Sequence, residues 1–138
     1  MLLTGKINHN LALFRNNFTI AWGEVFGQNF SRFCGILVLI LNSISWLGSF
    51  LLYRSLGDEL TVLHYNIDFG IDLIGRRGQL FVNPALGLIL IILDLSLLLL
   101  LTRHQHFKLI SFLLWGTMIL ANIFLILAVL GVYLINFR

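Results

Sequence analysis

PALGLILIILDLSLLLLL, residues Pro84 to Leu101, is an apolar run interrupted near its centre only by Asp94 and Ser96. As a helix, its 18 residues would extend about 27 Å at about 1.5 Å per residue. That approaches the roughly 30 Å of a bilayer's hydrocarbon core. Asn83 can cap free backbone N–H groups, and Pro84 suits the first helical position, where no N–H is needed. At the other end, Thr102-Arg103-His104-Gln105-His106 is polar enough to sit among headgroups. A buried helix of a soluble protein could be equally apolar, so the rest of the chain has to decide the reading.

The 138 residues are 59% hydrophobic and 11% charged, with a mean hydropathy of +0.95. Soluble domains carry about 25% charged residues. The deficit, with three long apolar runs, predicts an all-α integral membrane protein with three transmembrane helices. The runs and one loop account for nearly all the length, so residues 1–138 are read as a single membrane domain. Cys34 is the one cysteine, which excludes an intramolecular disulfide and a cysteine-rich metal site. A net charge of +3 without a basic cluster gives no reason to expect a nucleic-acid partner.

The domain divides as follows. Residues 1–32 lack the features of a cleavable signal peptide: the first long apolar run begins too late, and no small-residue cleavage site follows it. Instead Phe14, Phe18, Trp22, Phe26 and Phe30 recur every fourth position, with Arg15, Asn16, Asn17, Thr19, Gly23, Gln28 and Asn29 filling much of the other side. This pattern predicts an amphipathic helix lying in the membrane interface; an aromatic stripe packed on the protein's own spans is the alternative. Residues 33–53 form span 1, on which Gly35, Val38, Asn42, Ser45 and Ser49 share a small and polar stripe expected to meet protein. Span 2 is 83–101, where Gly87 and Asp94, seven apart, are expected to share a protein-facing side. Span 3 is 109–135, with Thr117, Ala121 and Ala128 as its small stripe and Asn122 beside it. The short loop 102–108 makes spans 2 and 3 an antiparallel hairpin. Its Arg103 and Lys108 suggest the cytoplasmic side, which puts the amino terminus inside a cell membrane and the carboxyl terminus outside.

The outer loop, 54–82, holds Asp58, Glu59, Asp68 and Asp72. Ile67, Phe69, Ile71 and Leu73 alternate with polar residues, and Leu60-Thr61-Val62-Leu63 is a second strand-like piece, which predicts an extended segment or small hairpin. Leu63-His64-Tyr65-Asn66, then Gly70, Asp72 and Gly75 ahead of a Pro-started span, resembles a motif of small uncharacterised bacterial membrane proteins that also opens the SdpI-type immunity proteins. That motif reads Pro-x-His-Phe-Asn-x-x-Gly, then Asp and Gly. Val62 stands at its Pro, and the step from Asn66 to Gly70 is one residue longer. The resemblance covers about residues 60–100. It implies the topology span, outer loop, span, and, as in SdpI-type members, immunity to a secreted toxin or signalling from it.

Chemistry is expected at two places. Asn42, Asp94 and Asn122 lie near the centres of three different spans. An ionised carboxylate in hydrocarbon is unfavourable, so Asp94 is expected to be neutral or paired. The spans hold no basic partner, but an Asn amide would satisfy it. Such a cluster serves either as a proton or cation site or as interhelical glue; the lack of a second titratable group favours glue. In the loop, His64, Asn66, Asp68 and Asp72 would share one side of an extended segment and could hold a divalent cation. Side chain to backbone bonds that shape the loop are the commoner use of such residues. His104 and His106 are too few for a zinc site and suit solvent or headgroup phosphates. No cofactor is implied. The serines have no His within the spans to activate them, and the glycines lack phosphate-loop spacing, so an enzyme is not expected. The leading expectation is an accessory, immunity- or sensor-like protein that binds a partner, either another membrane protein or further copies of itself. The alternative is a small oligomeric transporter of ions or solutes that uses Asp94.

Overall fold

The computed structural model describes residues 2–56, 61–66 and 70–137, with the backbone alone for 2–12, 14, 64–66 and 70–72. Among the described residues four helices and one hairpin follow in order: α1 (Leu2–Phe26), α2 (Asn29–Ser55), β1 (Thr61–Asn66), β2 (Gly70–Gly75), α3 (Val82–Leu100) and α4 (Phe107–Phe137). A 3-10 turn, Arg77–Phe81, runs directly into α3. Among the described residues three helical segments, Asn29–Ser55, Arg77–Leu100 and Phe107–Phe137, are long and apolar enough to cross a membrane. The chain is therefore a helical membrane protein.

α2 buries a single stripe: Ser31, Cys34, Val38, Asn42, Ser45, Ser49 and Leu52. Steps of three and four keep these residues on one helix face. Most are small, and α4 comes close as a result. A Cβ added at Gly48 would lie 3.2 Å from Val129, and one at Gly35 would lie 3.3 Å from the Trp115 ring. Without water to expel, this close packing is what holds helices together in lipid. α4 presents Ser111, Trp115, Met118, Asn122, Val129 and Val132 to the interior.

The small stripe predicted for the third span is thus not the packed one. Thr117 and Ala128 are exposed and Ala121 is only half-buried. The reason is complementarity: α2 already supplies the small surface, so α4 fills it with Trp115 and Met118. The outward faces carry residues such as Phe33, Ile36, Leu109 and Phe124, each more than 60% exposed.

Two apolar clusters form. One joins Val25, Cys34, Val38, Ile91, Leu98, Trp115 and Met118 toward the α3–α4 turn. The other joins Leu52, Leu80, Val129 and Val132 under the hairpin. The α3–α4 turn is closed by backbone bonds from His104 to Leu101 and from Phe107 to His104, both 2.9 Å. α1 stops at Gly27, where a Cβ would stand 2.5 Å from the Gly23 carbonyl oxygen. The chain then turns through Gln28 into α2. Arg32 Nε clasps this elbow by donating to the Phe26 carbonyl at 2.6 Å.

β1 and β2 pair antiparallel from Thr61↔Gly75 to Asn66↔Gly70, with irregular register between Val62 and Tyr65. The hairpin is tied to the end of α4 through Asn136. Its Nδ2 donates to the Val62 carbonyl at 2.8 Å, and its Oδ1 accepts from the Val62 N–H at 3.2 Å. At the same end Arg77 closes α2. Its Nη1 donates to the Leu56 carbonyl at 3.3 Å, and its guanidinium lies 4.6 Å from the Tyr53 ring centroid. A cation at a helix C-terminus complements the carbonyls exposed there.

Candidate functional site: a buried amide pair and a membrane-facing acid

Between the two apolar clusters, α2, α3 and α4 meet at their polar residues. Asn42, 5% exposed, points Nδ2 at the Asn122 Oδ1 at 3.2 Å and at the Pro84 carbonyl at 3.1 Å. The residue that offers this carbonyl is Pro84. It stands in the first turn of α3, close to Gly87, and Gly87 leaves room for both amides. A Cβ at Gly87 would lie 2.5 Å from Asn42 Nδ2 and 2.8 Å from Asn122 Oδ1. Asn122, 0% exposed, spends its own Nδ2 on the Met118 carbonyl at 2.9 Å. One turn of each of three helices is thereby locked by amide hydrogen bonds, and both Asn122 polar atoms are satisfied. Such a bonded node suits a structural role.

Asp94 is not part of it. It lies seven residues beyond Gly87, about 10 Å along the helix, and meets Thr117 of α4 instead. The Thr117 hydroxyl stands 3.4 Å from Asp94 Oδ2 and also donates to the Leu114 carbonyl at 2.8 Å. A hydroxyl has one proton, and the shorter contact takes it. Among the described residues Thr117 is the one hydrogen-bonding partner of Asp94, so most of the carboxyl's capacity is unmet within the chain. Asp94 is half-exposed and Thr117 exposed, on a flank where Leu90 and Leu97 are 38% and 44% exposed. An acid and a hydroxyl therefore open sideways, in the middle of a lipid-facing surface.

Asp68 lies outside the described residues, and His64, Tyr65, Asn66, Gly70 and Asp72 are described by backbone alone. The hairpin backbone does place 64–66 opposite 70–73. Among the described residues no three His, Cys, Asp or Glu side chains gather as a metal would require. A crevice of about 830 Å³ lies beneath the hairpin between Leu63, Leu73, Asn83 and Val132. Asn136 and Arg77, which fix the hairpin end, carry no sequence signal for those roles, because each acts on a backbone atom far away in the chain. No family model matches this sequence, and no curated protein or solved structure is significantly similar to it.

Proposed function

We propose that this chain is a non-enzymatic, partner-binding subunit of a membrane complex, and that its contact inside the bilayer is the Asp94–Thr117 flank. The observation that carries this reading is Asp94 itself: half-exposed on an apolar surface, with a shared hydroxyl as its one partner among the described residues. A polar group facing lipid is costly. A second helix bringing a donor or acceptor to that flank removes the cost, and hydrogen bonds of this kind join spans.

The remaining features fit an accessory, immunity- or sensor-like protein. In this reading α1 rides along the membrane surface, since exposed Phe18, Ile20 and Trp22 stand beside exposed Arg15, Asn16 and Asn17. Arg103 donates to Asn17 at 3.0 Å and tethers α1 to the α3–α4 turn. The basic turn faces the cytoplasm and the hairpin lies outside the cell membrane. The resemblance of residues 63–75 to the loop of SdpI-type immunity proteins makes the hairpin the second contact.

The test is photocrosslinking in native membranes from positions Leu90 and Leu97, which flank Asp94. Capture of a protein, either another chain or a second copy, that is lost with Asp94→Ala supports the reading. Capture of lipid alone at both positions overturns it. If Asp94→Asn abolishes ion flux in proteoliposomes while assembly survives, the transport reading replaces it.

A further inference from the structure

At the turn end of the bundle, the elbow between α1 and α2 faces the link between α3 and α4 across a crevice of about 540 Å³. Its rim is polar, from Gln105, His106 and Lys108, and its floor is aromatic, from Phe30 and Phe112. The two rings stack with centroids 5.5 Å apart and are 44% and 62% exposed. Ser111 lines the same space. It is 7% exposed, and among the described residues its hydroxyl has no hydrogen-bond partner.

From these residues we infer that the crevice binds an anionic phospholipid, with phosphate at the rim and an acyl chain over the Phe30–Phe112 floor. Three observations on different links of the chain converge. The first is charge: among the described residues neither Lys108 nor the neighbouring Arg103 forms an ion pair, and no Asp or Glu occurs from Leu95 to Arg138, which leaves Glu24 of α1 as the acid nearest in sequence to the elbow. The second is depth. α4, long and apolar enough to cross a membrane, begins at Phe107. The rim therefore sits at the headgroup level, with the aromatic floor just inside it. The third is preorganisation. The His106 N–H donates to His104 Nδ1 at 3.2 Å, which fixes the turn. With Lys108 one residue into α4, Lys108, His106 and Ser111 border one space. An ammonium and hydroxyl donors match the oxygens of a phosphodiester. An inorganic phosphate would use the rim but not the floor, so the floor selects the lipid.

The probes are dioleoyl phosphatidylglycerol, dioleoyl phosphatidylcholine and inorganic phosphate, added to the detergent-solubilised full chain and read by native mass spectrometry. Retained phosphatidylglycerol adducts are expected to exceed phosphatidylcholine adducts about tenfold. Lys108→Ala should cut that preference about fivefold, the effect of one cation near a membrane surface, and Lys108→Arg should keep it. Phe112→Ala should weaken retention of both lipids. Arg54→Ala, at the hairpin end, should change nothing. Equal retention of the two lipids overturns the proposal, as does an unchanged preference in Lys108→Ala. An equal loss in Arg54→Ala would mean diffuse charge attraction and also overturns it. Displacement of the lipid by equimolar inorganic phosphate identifies a free-phosphate site and overturns the lipid assignment.

Discussion

Asn136 engages Val62 through both of that residue's backbone groups, accepting from its N–H and donating to its carbonyl. A side-chain amide at the end of α4 thereby acts as a strand partner for β1. It also bonds the Val132 carbonyl at 2.8 Å, so the amide is itself held in place by its helix. We predict that Asn136→Leu frees the hairpin while leaving the three spans assembled. Hydrogen exchange at Val62 should accelerate by about fivefold or more, given a contribution of about 1–3 kcal/mol from a part-buried bonded pair. Unchanged protection at Val62 would show that the hairpin is held by other contacts.

Gly87 is the condition for the amide node. We predict that Gly87→Ala lowers stability by about 1–3 kcal/mol, the usual range for overpacking a tight interior. A double-mutant cycle on Asn42→Ala and Asn122→Ala should give a coupling of about 0.6–2 kcal/mol, as for hydrogen bonds between membrane helices. Both are measured by reversible unfolding in mixed micelles. Additive effects of the two Asn changes would remove the case for a shared node.

Ser45 and Ser49 have buried hydroxyls with no partner among the described residues. An unsatisfied buried donor is unfavourable. We predict that Ser49→Ala, at a site that is 0% exposed, is neutral or stabilising by up to about 1 kcal/mol in the same unfolding measurement. A clear destabilisation would mean that the hydroxyl is bonded in the membrane.

Asp94→Leu should leave the fold intact, because the acid contributes one long contact to a half-exposed flank. The unfolding midpoint of the isolated chain should stay or rise, while protein crosslinking from Leu97 should disappear. Unfolding of this variant would instead make Asp94 part of the chain's own packing.

The spans were legible in the sequence because hydropathy over about 20 residues is a strong local signal. The packed stripe of α2 was legible for the same kind of reason: Val38, Asn42, Ser45 and Ser49 repeat at helical spacing. The partition of the polar residues was not. Gly87 and Asp94 project onto nearly the same side of α3, but seven residues drift by about 20° and move about 10 Å along the axis. One level touches α2 and the other reaches the rim of α4. Similarly, the small residues of the third span drew attention, whereas Trp115 and Met118 fill the space that α2 leaves. The Asn136–Val62 bond spans 74 positions and has no local trace.

The amide node also bears on how the protein is made. Asn42 and Asn122 are 80 residues apart, in α2 and α4, and α4 leaves the ribosome the later of the two. Until α4 is synthesised, Asn42 can bond only the Pro84 carbonyl of α3, and the side of α2 that packs on α4 is uncovered. A nascent or truncated chain thus displays a polar stripe in the bilayer that the finished protein hides. Completion of α4 removes that stripe from the bilayer.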